Sequence, residues 1–373
     1  MSPGAEFASR RATSKSGGGG GARRSNAGSV KPGSVREMSS RPSMAAIVAD
    51  DFGGYARRMS TDTALAYLVA HSPAPTATVG PAVLRAREAL DTAAAELLAV
   101  PDGTLERDWQ WNGHGADVRY GLFRAIEAVE EAAGQIEAIL AALGTRRSSA
   151  ALRIAPSTTA RWDLHGRLAA LDAGLLDRVA RDGEWSIRET LGHIVGGQRG
   201  YVAFTAWHWS RNSTEAPTEA ELAQIQADTQ LPEDAEEASG SIADIRARLD
   251  ETVDRGGAHL SGWSDADLAR PARWSGIPVN VGFRVGRWSS HLMEHTIQID
   301  KTLAWLERQP TEAERIVGDL YRAWGRLEMN IFPIDPAVLT RKHSSGRPVE
   351  SVLAALGEEL VRDARSTRAA AEA

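Results

Sequence analysis

No cysteine occurs anywhere in the 373-residue chain. That excludes disulfides, thiolate metal ligands and a cysteine nucleophile, and it suits a reducing cytoplasm, the compartment expected here. Histidine and carboxylate are left as the strong metal ligands. Positive charge is also short. Forty-three Lys and Arg face 49 Asp and Glu, for a net charge of −6, so there is no global basic field to attract nucleic acid. No apolar run approaches the ~18–20 residues that a membrane helix needs. Strand signals are nearly absent; only WSGIPVNVGF at 274–283 has the look of a short extended piece.

Residues 1–44 hold eight basic residues against two acids, and a run of five glycines starts at Gly17. Such a segment cannot bury a core, so a disordered tail is expected, or a true start at Met38 or Met44. From Ala45 onward, apolar residues recur with helical spacing. Helices are expected near 45–58, 61–71, 80–99, 117–143, 157–180, 186–210, 241–259, 284–308, 311–330 and 348–368. Ser186 with Glu189, and Ser241 with Asp244, read as capping boxes. The fold class is therefore all-α, built from helical bundles. Residues 213–237 carry eight acids, no bases and two prolines. They read as a solvated connection between helices, with a lid over a site as the alternative.

The chemistry concentrates in RVGRWSSHLMEHTIQIDKTL at 284–303. His291 and His295 stand at i and i+4, which places both imidazoles on one helix face within reach of one ion. A pair of this kind is weak until a third ligand joins it, and His193 in WSIRETLGHIVGG is the candidate. Glycines 192, 196, 197 and 200 crowd the same helix. Each costs a helix interior up to ~1 kcal/mol against alanine, so close approach of a neighbour or open space beside the imidazole is expected. Three imidazoles leave tetrahedral zinc one open position, and nickel, iron or copper also accept them. Metal-bound water or a small thiolate would then be the nucleophile. Glu189 and Glu294 are candidates to orient the imidazoles, and Arg287 to hold an anionic group. Against this, an Arg287–Glu294 ion pair is the structural alternative. His165 is a reserve ligand. His208 lies at the far end of the helix expected at 186–210, off the His193 stripe, and His71, His114, His259 and His343 read as termini or loops. Trp162, Trp185, Trp207, Trp288, Trp305 and Trp324 read as core packing.

Sliding the chain by 163 residues aligns two stretches without a gap. Asp102, Leu105, Arg107, Trp111, Gly113 and Val118 fall on Asp265, Leu268, Arg270, Trp274, Gly276 and Val281. Arg124, Glu131, Gln135, Ile136 and Leu140 fall on Arg287, Glu294, Gln298, Ile299 and Leu303. Ser60–Val69 resembles Ser186–Val195 at a different offset. Two related bundles are expected, over 45–150 and 151–333, followed by a helical extension over 334–373. In the first, Tyr67, Ala128 and Ala132 stand where the second has His193, His291 and His295, so the first copy should bind no metal.

The pattern W-S-x-x-E-x-L-x-H at Trp185–His193, followed by HLMEH at His291–His295, resembles the DinB/YfiT-like family. The resemblance covers about 157–310 and, in degenerate form, 45–143. It implies tandem up-down four-helix bundles and a divalent metal, zinc or nickel, on His193, His291 and His295. It also implies a metal-dependent hydrolase, or a transferase using a low-molecular-weight thiol of the mycothiol or bacillithiol type on small electrophiles. A non-catalytic stress-response bundle holding a metal or small ligand is the alternative. The expected partners are a small-molecule substrate and a thiol co-substrate. Neither nucleic acid nor a membrane is expected, and an intrachain pseudo-dimer would stand in for the usual dimer, which allows a monomer.

Overall fold

The computed structural model describes residue 75 and residues 78–373, apart from 212, 230 and 343–345. The tail over 1–44, the helices expected at 45–58 and 61–71, and Tyr67, His71 and His343 lie outside the described residues. Within them the chain is dominated by helices, and none is long and apolar enough to cross a membrane.

Two long helices come first, α1 (Pro81–Leu98) and α2 (Val118–Ala142), separated by a hairpin of β1 (Asp108–Trp111) and β2 (His114–Asp117). Four more long helices are α3 (Ser149–Ala169), α4 (Ile187–Ser210), α7 (Ile242–Leu260) and α9 (Val281–Trp305). The acidic stretch between α4 and α7 carries α5 (Glu219–Thr229) and the single turn α6 (Asp234–Glu237). Before α9 come α8 (Asp265–Leu268) and the hairpin β3 (Pro271–Trp274) and β4 (Ile277–Asn280). The chain closes with α10 (Glu312–Ile331), α11 (Pro336–Thr340) and α12 (Val349–Glu372).

Local sequence accounts for most of these limits. Both expected capping boxes form, Ser186 with Glu189 on α4 and Ser241 with Asp244 on α7. Each satisfies two backbone N–H groups that have no partner inside the helix. One start differs from expectation. The helix expected from 157 begins eight residues earlier, where the Ser148 hydroxyl accepts from Ala151 N–H, and Pro156 is accommodated inside it. Burial of Ala150, Ala151 and Ile154 outweighs the break that proline normally imposes. The extended piece expected at 274–283 overlaps the β3–β4 hairpin, which covers 271–280, while 281–283 open α9.

The two hairpins are built alike. Asn112 and Gly113, like Ser275 and Gly276, have positive φ (51°, 80°, 45° and 75°), as a two-residue type I′ turn requires. Asp108 pairs with Asp117 and Pro271 with Asn280 at the open ends. The last strand residue of each, Asp117 and Asn280, caps the following helix through its side chain.

Helices α3, α9, α4 and α7 pack in that cyclic order as one four-helix bundle. A second closes in the order α1, α12, α2, α10. Two of its members therefore come from beyond residue 150. The sequence places α10 within 151–333 and α12 in an extension over 334–373, yet both line one core with α1 and α2. An amphipathic stripe reveals that a helix buries a face but not which helix covers it.

The bundles meet where α3 packs along α10. Trp162 of α3 enters the core of α1, α2, α10 and α12, while Phe332 reaches into the other. Charges are buried at this seam. The fully buried Arg161 donates to Asp254 (2.6 Å) and Glu328 (2.5 Å), and Arg87 donates to the same two carboxylates. Trp324 Nε1 also donates to Glu328, at 2.9 Å. Burial is the largest single influence on the Glu328 carboxyl and pushes it up, but Arg87 and Arg161 together outweigh it and hold the carboxyl below its ordinary range. Removing one member of such a cluster leaves an unpaired buried charge. Glu328→Gln is accordingly expected to lower stability by roughly 3–5 kcal/mol in chemical denaturation, with native helix content at zero denaturant.

Candidate metal centre

His193 lies in the second turn of α4, and His291 and His295 lie one turn apart on α9. Because α4 and α9 are neighbours in the bundle, the three rings meet. Centroids are separated by 5.3 Å (His193–His291), 4.7 Å (His193–His295) and 4.5 Å (His291–His295). One ligand nitrogen from each falls within 4.8 Å of the other two. Zinc–imidazole bonds are ~2.0–2.1 Å, so a modest inward turn of the rings would bring all three onto one ion.

Helix α4 can come this near because of its glycines. A Cβ on Gly197 would stand 2.4 Å from Cε1 and 2.8 Å from Nε2 of His291, so the ring rests directly on the α4 backbone. Gly192 and Gly196 make a second notch on the same helix, filled by Asp234 at the start of α6. Of the two uses expected of a glycine-rich helix, Gly192, Gly196 and Gly197 serve close approach of a neighbour; none of them opens on empty space.

The outer ring nitrogens are engaged. His193 Nδ1 lies 2.9 Å from Asp234 Oδ2, and His295 Nδ1 lies 2.9 Å from Gln298 Oε1. The Gln198 amide nitrogen lies 3.3 Å from His291 Nδ1 and donates to the Trp288 carbonyl. The inner Nε2 atoms of His193 and His291 are buried and have no hydrogen-bond partner among the described residues. A buried polar atom without a partner is costly, and a cation between these nitrogens would satisfy both. Burial, reinforced by the neighbouring imidazoles, pushes the His291 ring well below the usual imidazole range. His295 shifts the same way, again chiefly through burial. Both are then neutral near pH 7, the form that ligates.

Comparison with known families matches residues 157–299 to the DinB superfamily model. This part of the chain is DinB-like. It runs from within α3, through α4 and α7, to within α9 and contains all three histidines. No curated protein and no solved structure gives a significant match.

Within the DinB-like domain, the expected supporting residues have other duties. Glu189 is spent on its capping box, accepting from Ser186 N–H (2.7 Å) and from the Ser186 hydroxyl (2.9 Å). A carboxylate at the third helical position is drawn to the unpaired N–H groups of the first turn. Glu294 accepts from Arg287 at 2.6 and 2.9 Å rather than orienting His295. Arg287 also lies over the Trp274 ring, 5.0 Å from its centroid. The other bundle repeats this arrangement, with Arg124 pairing Glu131 at 2.9 Å and lying 4.7 Å from the Trp111 centroid. No histidine stands at the neighbouring positions there, so the arrangement belongs to the hairpin–helix junction. His165 is not with the triad. It is buried against Trp162 with Nε2 2.8 Å from Asp250.

Sequence reasoning missed Asp234 and Gln198, gave Gln298 only as a member of the repeat, and read Trp185 as core packing. Asp234 is one of eight acids in its stretch, and nothing local separates it from the others. The Trp185 ring lies 5.0 Å from His193 and forms a wall of the centre, while Trp162, Trp288 and Trp324 are core residues as expected.

His208 lies in the last turn of α4, as expected, and is buried. Nδ1 contacts the Phe204 carbonyl at 2.5 Å, and burial pulls its pKa down to about 3. An unfolded imidazole takes up a proton near pH 6.5, whereas the folded one does not until near 3. Its contribution therefore falls as pH drops from about 6.5 toward 3, a loss of about 2 kcal/mol by pH 5. His208→Gln should flatten the pH dependence of the unfolding free energy by about that amount between pH 7 and 5. For the centre itself, Gly197→Ala should push the His291 ring aside and lower metal affinity by tenfold or more in a chelator competition assay. Gly134→Ala, with open space around the added Cβ, serves as the neutral control.

Proposed function

We propose that the DinB-like domain holds one divalent ion, zinc or nickel, on His193, His291 and His295, and uses it in catalysis. The observation that carries this reading is the convergence of three imidazoles on a buried point, with two inner nitrogens lacking any other partner. A bound divalent ion lowers the pKa of a water or small thiol that coordinates it, which makes a nucleophile available at neutral pH. The reaction class proposed is hydrolysis of a small electrophile, or transfer of a low-molecular-weight thiol to it. Lacking cysteine, the chain would take any reactive sulfur from a co-substrate.

The residues contribute in distinct ways. Burial keeps His291 and His295 neutral and so ready to ligate. Gln298 holds the His295 ring from behind, and Gly197 admits the His291 ring against α4. Trp185 closes one side of the centre beside His193.

The internal repeat belongs to the same reading. The hairpin–helix units 108–142 and 271–305 share turn type, pairing and helix cap, with Ala128 and Ala132 where the DinB-like domain has His291 and His295. The first bundle then packs against the DinB-like domain without a metal of its own, as an intrachain pseudo-dimer.

His291→Ala should lose bound metal by elemental analysis, in parallel with zinc-loaded parent protein, and keep its helical circular dichroism. Full occupancy in that variant would overturn the ligand set. Assaying thiol co-substrates and electrophiles with and without chelator separates the enzyme from a bundle that only binds metal.

A further inference from the structure

We propose that Asp234 is a positioning residue for His193 and that it couples the acidic segment 213–238 to the metal centre. The inference rests on the triad binding a metal, as proposed above.

The segment is not a free solvated linker. Ile225, Thr229, Glu237 and Ala238 are buried. The flanking elements hold it at several points. Arg211 donates to Glu221 (2.8 Å) and Arg273 to the Pro217 carbonyl (2.5 Å). Arg188 of α4 donates to the carbonyls of Ala238 (2.7 Å) and Gly240 (2.8 Å). Arg199, fully buried on α4, pairs with the equally buried Glu237.

Between these anchors Asp234 meets the centre. A Cβ on Gly192 would lie 2.1 Å from the Asp234 carbonyl oxygen, and one on Gly196 would lie 2.5 Å from Asp234 Oδ1. A larger residue at position 192 would meet backbone and lift the start of α6 off α4, and one at position 196 would displace the Asp234 carboxylate. The two glycines thus form a seat that sets the Asp234 carboxylate 2.9 Å from His193 Nδ1. With Nδ1–H donating to that carboxylate, the proton stays on the outer nitrogen, and the Nε2 lone pair faces the other two imidazoles. Asp234 is itself about half exposed, so its side chain is not required for core packing.

Coupling of this kind works in both directions. If a seated segment strengthens metal binding by some factor, metal strengthens seating by the same factor. Two readouts follow, neither of which needs an assay of turnover. The first is zinc affinity by chelator competition. Asp234→Ala should weaken it by about 10–100-fold, the usual effect of losing a carboxylate behind a ligating histidine. Asp234→Asn keeps an oxygen acceptor for Nδ1–H and should restore most of that loss. The second is cleavage within 213–233 by a glutamate-specific protease. Zinc should slow it in the parent protein and in Asp234→Asn, but not in Asp234→Ala. Unchanged circular dichroism and unfolding midpoint in the apo-proteins exclude a general loss of structure.

The outcomes separate the two ideas. A parent protein that binds no zinc overturns the metal reading, and this inference with it. Tight zinc binding by the parent and equally tight binding by Asp234→Ala overturns the positioning role alone. Failure of Asp234→Asn to bind better than Asp234→Ala overturns it as well, because the hydrogen-bond acceptor would then not be what matters.

Discussion

An imidazole lying on bare backbone sets the geometry of the histidine-bearing bundle. Gly197 offers His291 no side chain, so α4 and α9 come close enough for His193, on the neighbouring helix, to join the pair on α9. Helix packing is ordinarily a matter of ridges and grooves formed by side chains. Here one ridge has been cut away twice, once for the His291 ring and once for Asp234. The cost is several glycines in a helix interior, each unfavourable by up to ~1 kcal/mol. Burial of the surrounding apolar residues of all four helices offsets it.

That packing also gives the rings their chemical character. Removed from water and crowded by one another, His291 and His295 cannot readily carry charge. Asp234 and Gln298 stand behind the outer nitrogens, which leaves the inner ones pointing at a common space. A carboxylate and an amide placed behind imidazoles are the usual means of fixing ring orientation around a metal.

The seam between the bundles follows a different logic. Arg87, Arg161, Asp254 and Glu328 come from four helices of the two bundles and pair with one another, three of them buried and Asp254 partly so. Buried ion pairs add little net stability, but any misaligned arrangement leaves a charge unpaired in a dry environment. The cluster therefore selects the register in which α3 lies along α10. Trp162, crossing into the opposite core, fills the space that this register leaves.

Much of this was legible in one dimension because its causes are local. Apolar spacing gave the long helices, Ser186 and Ser241 gave two of their starts, and the i, i+4 spacing put His291 and His295 on one face. The pattern around His193 pointed to the third imidazole. What could not be read depended on which helix lies beside which. Periodicity describes a buried face but carries no address, so α10 and α12 could not be matched to α1 and α2. The same holds at single residues. Glu189, Glu294 and Arg287 lie next to ligands in sequence yet spend their hydrogen bonds elsewhere. Asp234, 41 residues from His193, is brought to it by a fold in the acidic stretch. Sequence determined the helices and the ligand types; tertiary packing decided the partners, because contact across a core is set by shape and charge that neighbours along the chain do not share.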